Sequence, residues 1–341
     1  GGAFGLKMHG HPEEALICLL SKLTKQPVKW VENREECLLT GGREQDHELE
    51  IALNADGQIL AIRDQYLANV GAPGATPGWG MAFLTGISMP GPYDVPNLEV
   101  LADIVVTNKV PLSSCRGYGK EVTALALELG IDKAARELGM DPAEIRIKNF
   151  IPSDAFPKKS ATGLIYDSGD YAGVLTKTLE LIDYEEQRKQ QKVLRESGVY
   201  MGIGIAYELT PEGGTLPGTL VAGYDTSTVK VDPSGFVTVL TGVTDPGGGN
   251  RTGIGQIVAD VLGVEFENVR IIQGDTQACP YGFGNYSGRS TIVGGGSAAL
   301  AAEDIKAQIK ILAAAMMEVS EDSVEIFRGM VTTTADPSSQ L

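Results

Sequence analysis

The stretch Leu49-Glu50-Ile51-Ala52-Leu53-Asn54-Ala55-Asp56-Gly57-Gln58-Ile59-Leu60-Ala61-Ile62 decides the fold class. Its two apolar-rich runs flank Asn54-Ala55-Asp56-Gly57, a turn-forming cluster, and read as a β-hairpin. The pattern returns later, where residues 228–231 and 236–240 flank Asp232-Pro233-Ser234-Gly235. This echo hints at two related half-domains. Around the hairpins, apolar spacing places helices at 12–26, at 121–138, from Asp141-Pro142 onward, up to Glu196, at 253–262 and at 297–317. Pro12 with Glu13 and Glu14 suits a first turn, Gly139 a stop, and Asp141 a cap ahead of Pro142. Further strands are expected at 28–32, 100–107, 202–207 and 269–272. Hairpins mixed with helices mean an α+β fold of two mixed sheet-and-helix domains rather than a regular βαβ alternation. Residues 151–175 carry Pro152, Pro157, Lys158 and Lys159 with little periodicity, and read as a linker between domains at 1–150 and 176–341.

The 28 Lys and Arg residues face 44 Asp and Glu residues, a net charge of −16. That surplus argues against nucleic acid or an anionic membrane as partner. No run of 18 apolar residues is present, so no membrane span is expected. Cys18, Cys37, Cys115 and Cys279 match no zinc or redox spacing. Four scattered thiols point to a reducing cytoplasm. The opening Gly1-Gly2-Ala3-Phe4 has neither Met nor a signal pattern and reads as a piece of a longer chain.

Glycine is the compositional outlier, 43 of 341 residues, about twice the usual share of ~7%. The glycines gather in loops ahead of helices: Gly1-Gly2-Ala3-Phe4-Gly5-Leu6-Lys7, Arg116-Gly117-Tyr118-Gly119, Gly247-Gly248-Gly249-Asn250-Arg251, a run from Gly282 to Thr291, and Gly294-Gly295-Gly296. Backbone without side chains lets amides approach an anion or a flat polar ligand, and a helix N-terminus adds partial positive charge. The alternative for any one loop is a tight turn. None fits a P-loop or a nicotinamide-binding Rossmann unit. Arg116 and Arg289 are the cations expected to face a ligand, since a guanidinium offers a planar fork of donors. The alternative is a surface ion pair.

Other constellations carry less. His9 and His11 precede a helix and read as a loop or cap, and with His47 the chain has only three histidines, all in its first 47 residues. Neither a three-histidine zinc site nor a Ser-His-Asp set is expected. Cys115 beside Arg116 reads as a structural thiol, and the charged stretch 185–196 as a solvated helix face. Tyr118, between two glycines, either stacks on a planar substrate or fills the core.

Taken in order, these loops resemble the molybdopterin-binding large subunit of the xanthine dehydrogenase / aldehyde oxidoreductase family of molybdenum hydroxylases. The phrases are Gly1 through Lys7 (G-G-x-F-G-x-K), Arg116 to Gly119 (R-G-[FY]-G), Leu138-Gly139-Met140-Asp141-Pro142 with Arg146-Ile147-Lys148-Asn149, Gly247-Gly248-Gly249 with Gln256-Ile257-Val258-Ala259-Asp260, and Gly288-Arg289-Ser290-Thr291. The resemblance implies a molybdopterin cofactor, in the cytosine dinucleotide form, whose dithiolene rather than any protein side chain holds the molybdenum. It implies cofactor contacts from Gly2, Phe4, Gly5, Arg116, Gly117, Gly247, Gly248, Gly249, Asn250, Ser287, Gly288, Arg289, Ser290 and Thr291, with Tyr118 lining the substrate channel. The implied activity is oxidoreduction: hydroxylation of an aldehyde or aromatic N-heterocycle with water, electrons leaving through iron–sulfur clusters to flavin. The implied partners are the remainder of the large subunit, iron–sulfur and flavin subunits or domains, and a small-molecule substrate, in an oligomer.

Four departures from the family pattern narrow this. The usual Gln of the G-Q-G loop is Gly248, and the acid after the first loop's Lys in xanthine-oxidising members is Met8. Their Arg after a Pro-Asn pair is missing, since Leu98-Glu99 follows Pro96-Asn97, and the copper-ligating Cys of carbon monoxide dehydrogenases is Gly117. The family's general-base Glu is expected beyond residue 341, so the second domain reads as C-terminally truncated and the piece alone as inactive. The alternative is a cofactor-free binding or assembly module related to the family.

Overall fold

The computed structural model describes residues 4–6, 10–39, 41–72, 78–210, 212, 223–335 and 338. The chain divides into two compact units, one within Phe4–Pro211 and one within Glu212–Leu341.

In the first unit, α1 (Pro12–Thr24) and α2 (Arg34–Leu38) precede the hairpin of β1 (Gln45–Leu53) and β2 (Ile59–Asn69). Asn54 builds the turn: its Oδ1 accepts the amides of Asp56 at 3.1 Å and Gln58 at 2.8 Å. Helix α3 (Gly78–Ser88) then leads to β3 (Leu98–Val105), which pairs parallel to β2. Helices α4 (Lys120–Leu138) and α5 (Pro142–Asn149) follow, α5 capped by Asp141 Oδ1 on the Ala143 amide at 2.8 Å. The Asn149 side chain stitches α5 to the hairpin turn, accepting from Ile59 N–H and donating to Gly57 O, each at 2.8 Å. The stretch 151–175 lies in this unit, with the short pair β4 (Lys158–Lys159) and β5 (Ile165–Tyr166) and the start of α6 (Tyr171–Leu181). Helix α7 (Tyr184–Glu196) buries only Tyr184.

The second unit repeats the order. Strands β6 (Ser227–Val231) and β7 (Val237–Thr241) form a hairpin whose Asp232 Oδ1 accepts the amides two and four residues on, as Asn54 does. Helix α8 (Asn250–Leu262) leads to β8 (Val269–Ile272), parallel to β7, and then to α9 (Gly296–Met317). The hairpin β9 (Val324–Phe327) and β10 (Met330–Thr333) ends the described chain. Both units therefore run hairpin, helix, parallel strand, helix, which gives the echo between the two turns a topological basis. The second core joins Val229, Val237, Val239, Ile254, Val258, Leu262 and Ile271 to Ala298 and Ala302 of α9. Each fully buried Val, Leu or Ile stabilises by about 1.5–3 kcal/mol.

Residues 28–32 and 202–207 are not strands. The second stretch alternates in exposure as a strand does, but side chains take its backbone groups. Arg146 Nη2 donates to Ile205 O at 2.8 Å and Tyr207 N–H to Glu128 Oε2 at 2.9 Å. These two bonds take backbone groups that a neighbouring strand would otherwise pair. Residues 28–32 have no strand neighbour among the described residues, and Val31 stays 71% exposed. Helix α1 forms with the expected apolar face, but Leu16, Leu19, Leu20 and Leu23 all remain exposed.

Candidate functional site

In the first unit the loop 116–119 turns directly into α4. Gly117 and Gly119 are left-handed at φ +109° and +97°, with Tyr118 between them at +53°. Two clamps hold the loop. On one side Glu121 Oε2 accepts Gly119 N–H at 2.8 Å, while Arg43 lies 3.2 Å from Glu121 Oε1 and donates to Arg116 O at 3.3 Å. On the other, Thr85 Oγ1 donates to Gly119 O at 3.0 Å. A Cβ on Gly117 would fall 2.1 Å from Glu121 Oε2, so the loop as it stands has no room for a side chain at the position of the copper-binding Cys.

The structure brings Phe4 and Gly5 to this loop: a Cβ on Gly5 would lie 3.0 Å from Ser114 Cβ, two residues before Arg116. Phe4 is left-handed at φ +52° with its ring exposed, and the Arg116 side chain is exposed too. The Tyr118 ring is half-buried and bonds Ser114; burial raises its hydroxyl's pKa. Gly2, with Lys7, Met8 and His9, lies outside the described residues.

Burial is the main cause that lifts the Glu121 carboxyl above its ordinary range, against the pull of backbone donors and Arg43. The charged form is thus penalised in the fold. The stability this shift contributes is complete below the ordinary carboxylate range and is lost as pH rises through the raised folded value. Glu121→Gln keeps an acceptor for Gly119 and stays neutral. Its melting temperature should match the parent's near pH 4 and exceed it by about pH 7, in melts followed across that range. A variant that melts lower at pH 7 would show the Arg43 contact outweighing burial.

In the second unit two loops meet. Asn250, at the start of α8, donates from Nδ2 to Thr244 O and to Asn285 Oδ1, each at 3.1 Å, and Asn285 Oδ1 also accepts the Ser290 hydroxyl. This joins Gly247–Gly249 to the loop holding Ser287, Gly288, Arg289, Ser290 and Thr291. Ser287 is left-handed at φ +57°. Residues Ser290–Gly295 then form a π-helical turn into α9, a distortion frequent at functional sites.

Arg289 does not face outward. It is fully buried: Nη1 donates to Asp225 Oδ2 at 2.6 Å and Gly284 O at 3.0 Å, Nη2 to Tyr224 O at 3.0 Å, and the guanidinium lies over the Phe283 and Tyr286 rings. Only its Nε, also buried, has no hydrogen-bond partner among the described residues. Asp225 Oδ1 also accepts Phe283 N–H at 3.0 Å, so one carboxylate ties the loop to its cation.

The triglycine amides are engaged as well. Asp245 Oδ1 accepts from Gly247 at 2.8 Å and Gly249 at 3.1 Å, and Oδ2 accepts from Arg251 at 3.1 Å. These backbone donors, Arg251 foremost, hold the Asp245 carboxyl below its ordinary range. Gly288 N–H goes to Glu212 Oε2 at 2.8 Å. The carbon faces of the loop stay open, since a Cβ on Gly247 or Gly249 would meet nothing within 4 Å, and one on Gly248 only Asn250 Oδ1 at 4.0 Å. That cradle of bare backbone is the shape a flat prosthetic group needs, and it fits a pterin lying against it.

Sequence reasoning missed the residues that organise these loops: Glu121, Thr85, Asp225, Asp245 and Asn285. Asp245 alone carried a signal, an acid a few residues before a helix start.

Residues 1–150 and 177–340 each match the family described as molybdopterin cofactor-binding domain. The chain belongs to the molybdenum hydroxylases, the xanthine dehydrogenase and aldehyde oxidoreductase family. It is 34% identical to the nicotine 6-hydroxylase large subunit of Paenarthrobacter nicotinovorans, over all of this chain and 43% of that one. It is 36% identical to the carbon monoxide dehydrogenase large chain of Hydrogenophaga pseudoflava, over 95% of this chain and 42% of that one. The structure of quinoline 2-oxidoreductase from Pseudomonas putida 86 superposes with a TM-score of 0.90 at 34% identity, covering all of this chain and 44% of that one. The chain thus spans less than half the length of these relatives. No helix among the described residues is long and apolar enough to cross a membrane.

Proposed function

We propose that the chain supplies the two cofactor-binding domains, 1–150 and 176–341, of an enzyme that hydroxylates an aldehyde or aromatic N-heterocycle with water, electrons passing to iron–sulfur clusters. The cofactor is molybdopterin with molybdenum, in its cytosine dinucleotide form, and the enzyme works in the cytoplasm beside iron–sulfur and flavin subunits. One observation carries this reading. Within each unit, separate glycine loops meet, and each pair includes a non-glycine residue held left-handed: Phe4 and Tyr118 in one, Ser287 in the other. Such strain gathers at functional sites.

When bound, the cofactor supplies the redox and oxygen-transfer chemistry of the hydroxylation. The chain's own residues orient and enclose. Gly247–Asn250 and Ser287–Thr291 hold the pterin and its phosphates. Phe4, Gly5 and the backbone of 116–119 would lie against the cofactor, Arg116 would offer it a donor fork, and the Tyr118 ring would wall the substrate channel. Arg289 acts from beneath, stiffening its loop. The lack of room at Gly117 counts against a carbon monoxide substrate.

A second reading, a cofactor-free binding or assembly module, is favoured by Asp245 and Glu212, whose carboxylates already occupy loop amides. Pterin extraction and metal analysis of the complex purified with its native subunits decide between the two. The parent should carry both pterin and molybdenum. Gly248→Val should cut both at least about tenfold while shifting unfolding by less than about 0.5 kcal/mol, since a Cβ there meets only Asn250 Oδ1, at 4.0 Å. A parent complex holding neither pterin nor metal would establish the second reading.

A further inference from the structure

Behind the 116–119 loop lies a hydrogen-bonded chain of side chains that the function above does not use. Asp64, on β2, is fully buried and receives His47 Nδ1 at 3.0 and 3.1 Å. The His47 ring stacks on Tyr66 at 4.9 Å between centroids. Its Nε2 lies 3.2 Å from Gln45 Oε1, and Gln45 Nε2 donates to Thr85 Oγ1 at 3.1 Å. Thr85 Oγ1 in turn reaches Gly119 O at 3.0 Å and Met81 O at 3.1 Å. Thr85 is itself fully buried.

The order of donors is constrained at Thr85. A hydroxyl has one proton, and the neighbours of Thr85 on α3 and in the loop are carbonyls that can only accept. Thr85 therefore shares its one proton between Gly119 O and Met81 O, and its lone pair takes a proton from the Gln45 amide. That turns Gln45 Oε1 toward His47 Nε2, while His47 Nδ1 lies against the Asp64 carboxylate. The His47, Gln45 and Thr85 side chains thus link a buried carboxylate to a hydroxyl within hydrogen-bond reach of the carbonyl closing the loop. Helix α3 is shaped for this. A Cβ on Gly86 would fall 2.8 Å from the Tyr66 hydroxyl and one on Gly80 3.0 Å from that of Tyr118, so glycines let the helix sit tight between sheet and loop.

We propose that Asp64, His47, Gln45 and Thr85 are positioning residues that fix the Gly119 carbonyl, and through it the left-handed backbone of residues 117–119. The proposal rests on the reading that this loop faces the cofactor, but it can be tested without cofactor readout. Hydrogen exchange is measured on the purified complex for amides of 116–121, with amides of 59–66 as reference. Thr85→Val, which keeps shape and loses the hydroxyl, should speed loop exchange about tenfold and leave the reference unchanged. Thr85→Ser should restore the parent rate. Gln45→Leu, at a half-buried site, serves as a second test: it should speed the same amides. Unchanged loop exchange in both variants, or equal acceleration in the reference, would overturn the proposal. A parent complex lacking pterin would overturn the cofactor reading and leave these exchange results intact.

Discussion

Asp225→Ala is expected to destabilise the unit formed within residues 212–341 by about 3–5 kcal/mol, the usual consequence of stranding one charge of a buried pair. Both side chains of the Asp225–Arg289 pair are fully inaccessible, at 2.6 Å. Removing the carboxylate leaves a guanidinium with two carbonyls and two aromatic faces but no counter-charge, and frees the Phe283 amide as well. Domains of this size have about 5–15 kcal/mol in all, so the loss should show as a lower urea midpoint and as faster hydrogen exchange through residues 283–295. Asp225→Leu combined with Arg289→Met should recover much of it, because removing both charges also removes the unpaired one. An unchanged midpoint in the alanine variant would mean that water reaches Arg289.

Gly119→Ala should be nearly as costly, about 3–5 kcal/mol, for a different reason. A Cβ there would lie 2.2 Å from Met81 O and 2.8 Å from Thr85 Oγ1, at a φ of +97°. Strain and overpacking each contribute a few kcal/mol. Gly139, at the other end of α4, is also left-handed but meets nothing within 4 Å. Gly139→Ala carries the backbone term without the collision and should cost about 1 kcal/mol. Thermal unfolding of the two variants separates these terms. Equal losses would show that the contact with α3 is soft and that the loop is not braced as the structure indicates.

Much of the fold was legible because its signals are local. Asn54 and Asp232 bond amides two and four residues ahead, and the turn is written within five residues. Asp141-Pro142 and Gly139 mark helix ends for the same reason. Helix α3 carries no local signal because Gly78, Gly80 and Gly86 lower its propensity; Gly80 and Gly86 let Tyr118 and Tyr66 pack against it, and Gly78 lies against Leu112. The strand expected at 202–207 failed in the opposite way. Its alternation is real, but its partners are the side chains of Glu128 and Arg146, from far back in the chain.

By itself the amino-acid order determined the two hairpins, the helix ends, the family and the places where bare backbone loops precede helices. All of these follow from contacts within a few residues or from phrases of adjacent letters. Tertiary structure alone decided which loops meet and which charges are spent inside. With 44 acidic residues on offer, nothing local tells Arg289 that its partner stands 64 positions away. Pairings of that range are chosen by where packing removes water, because only there does an unpaired charge cost enough to select its partner.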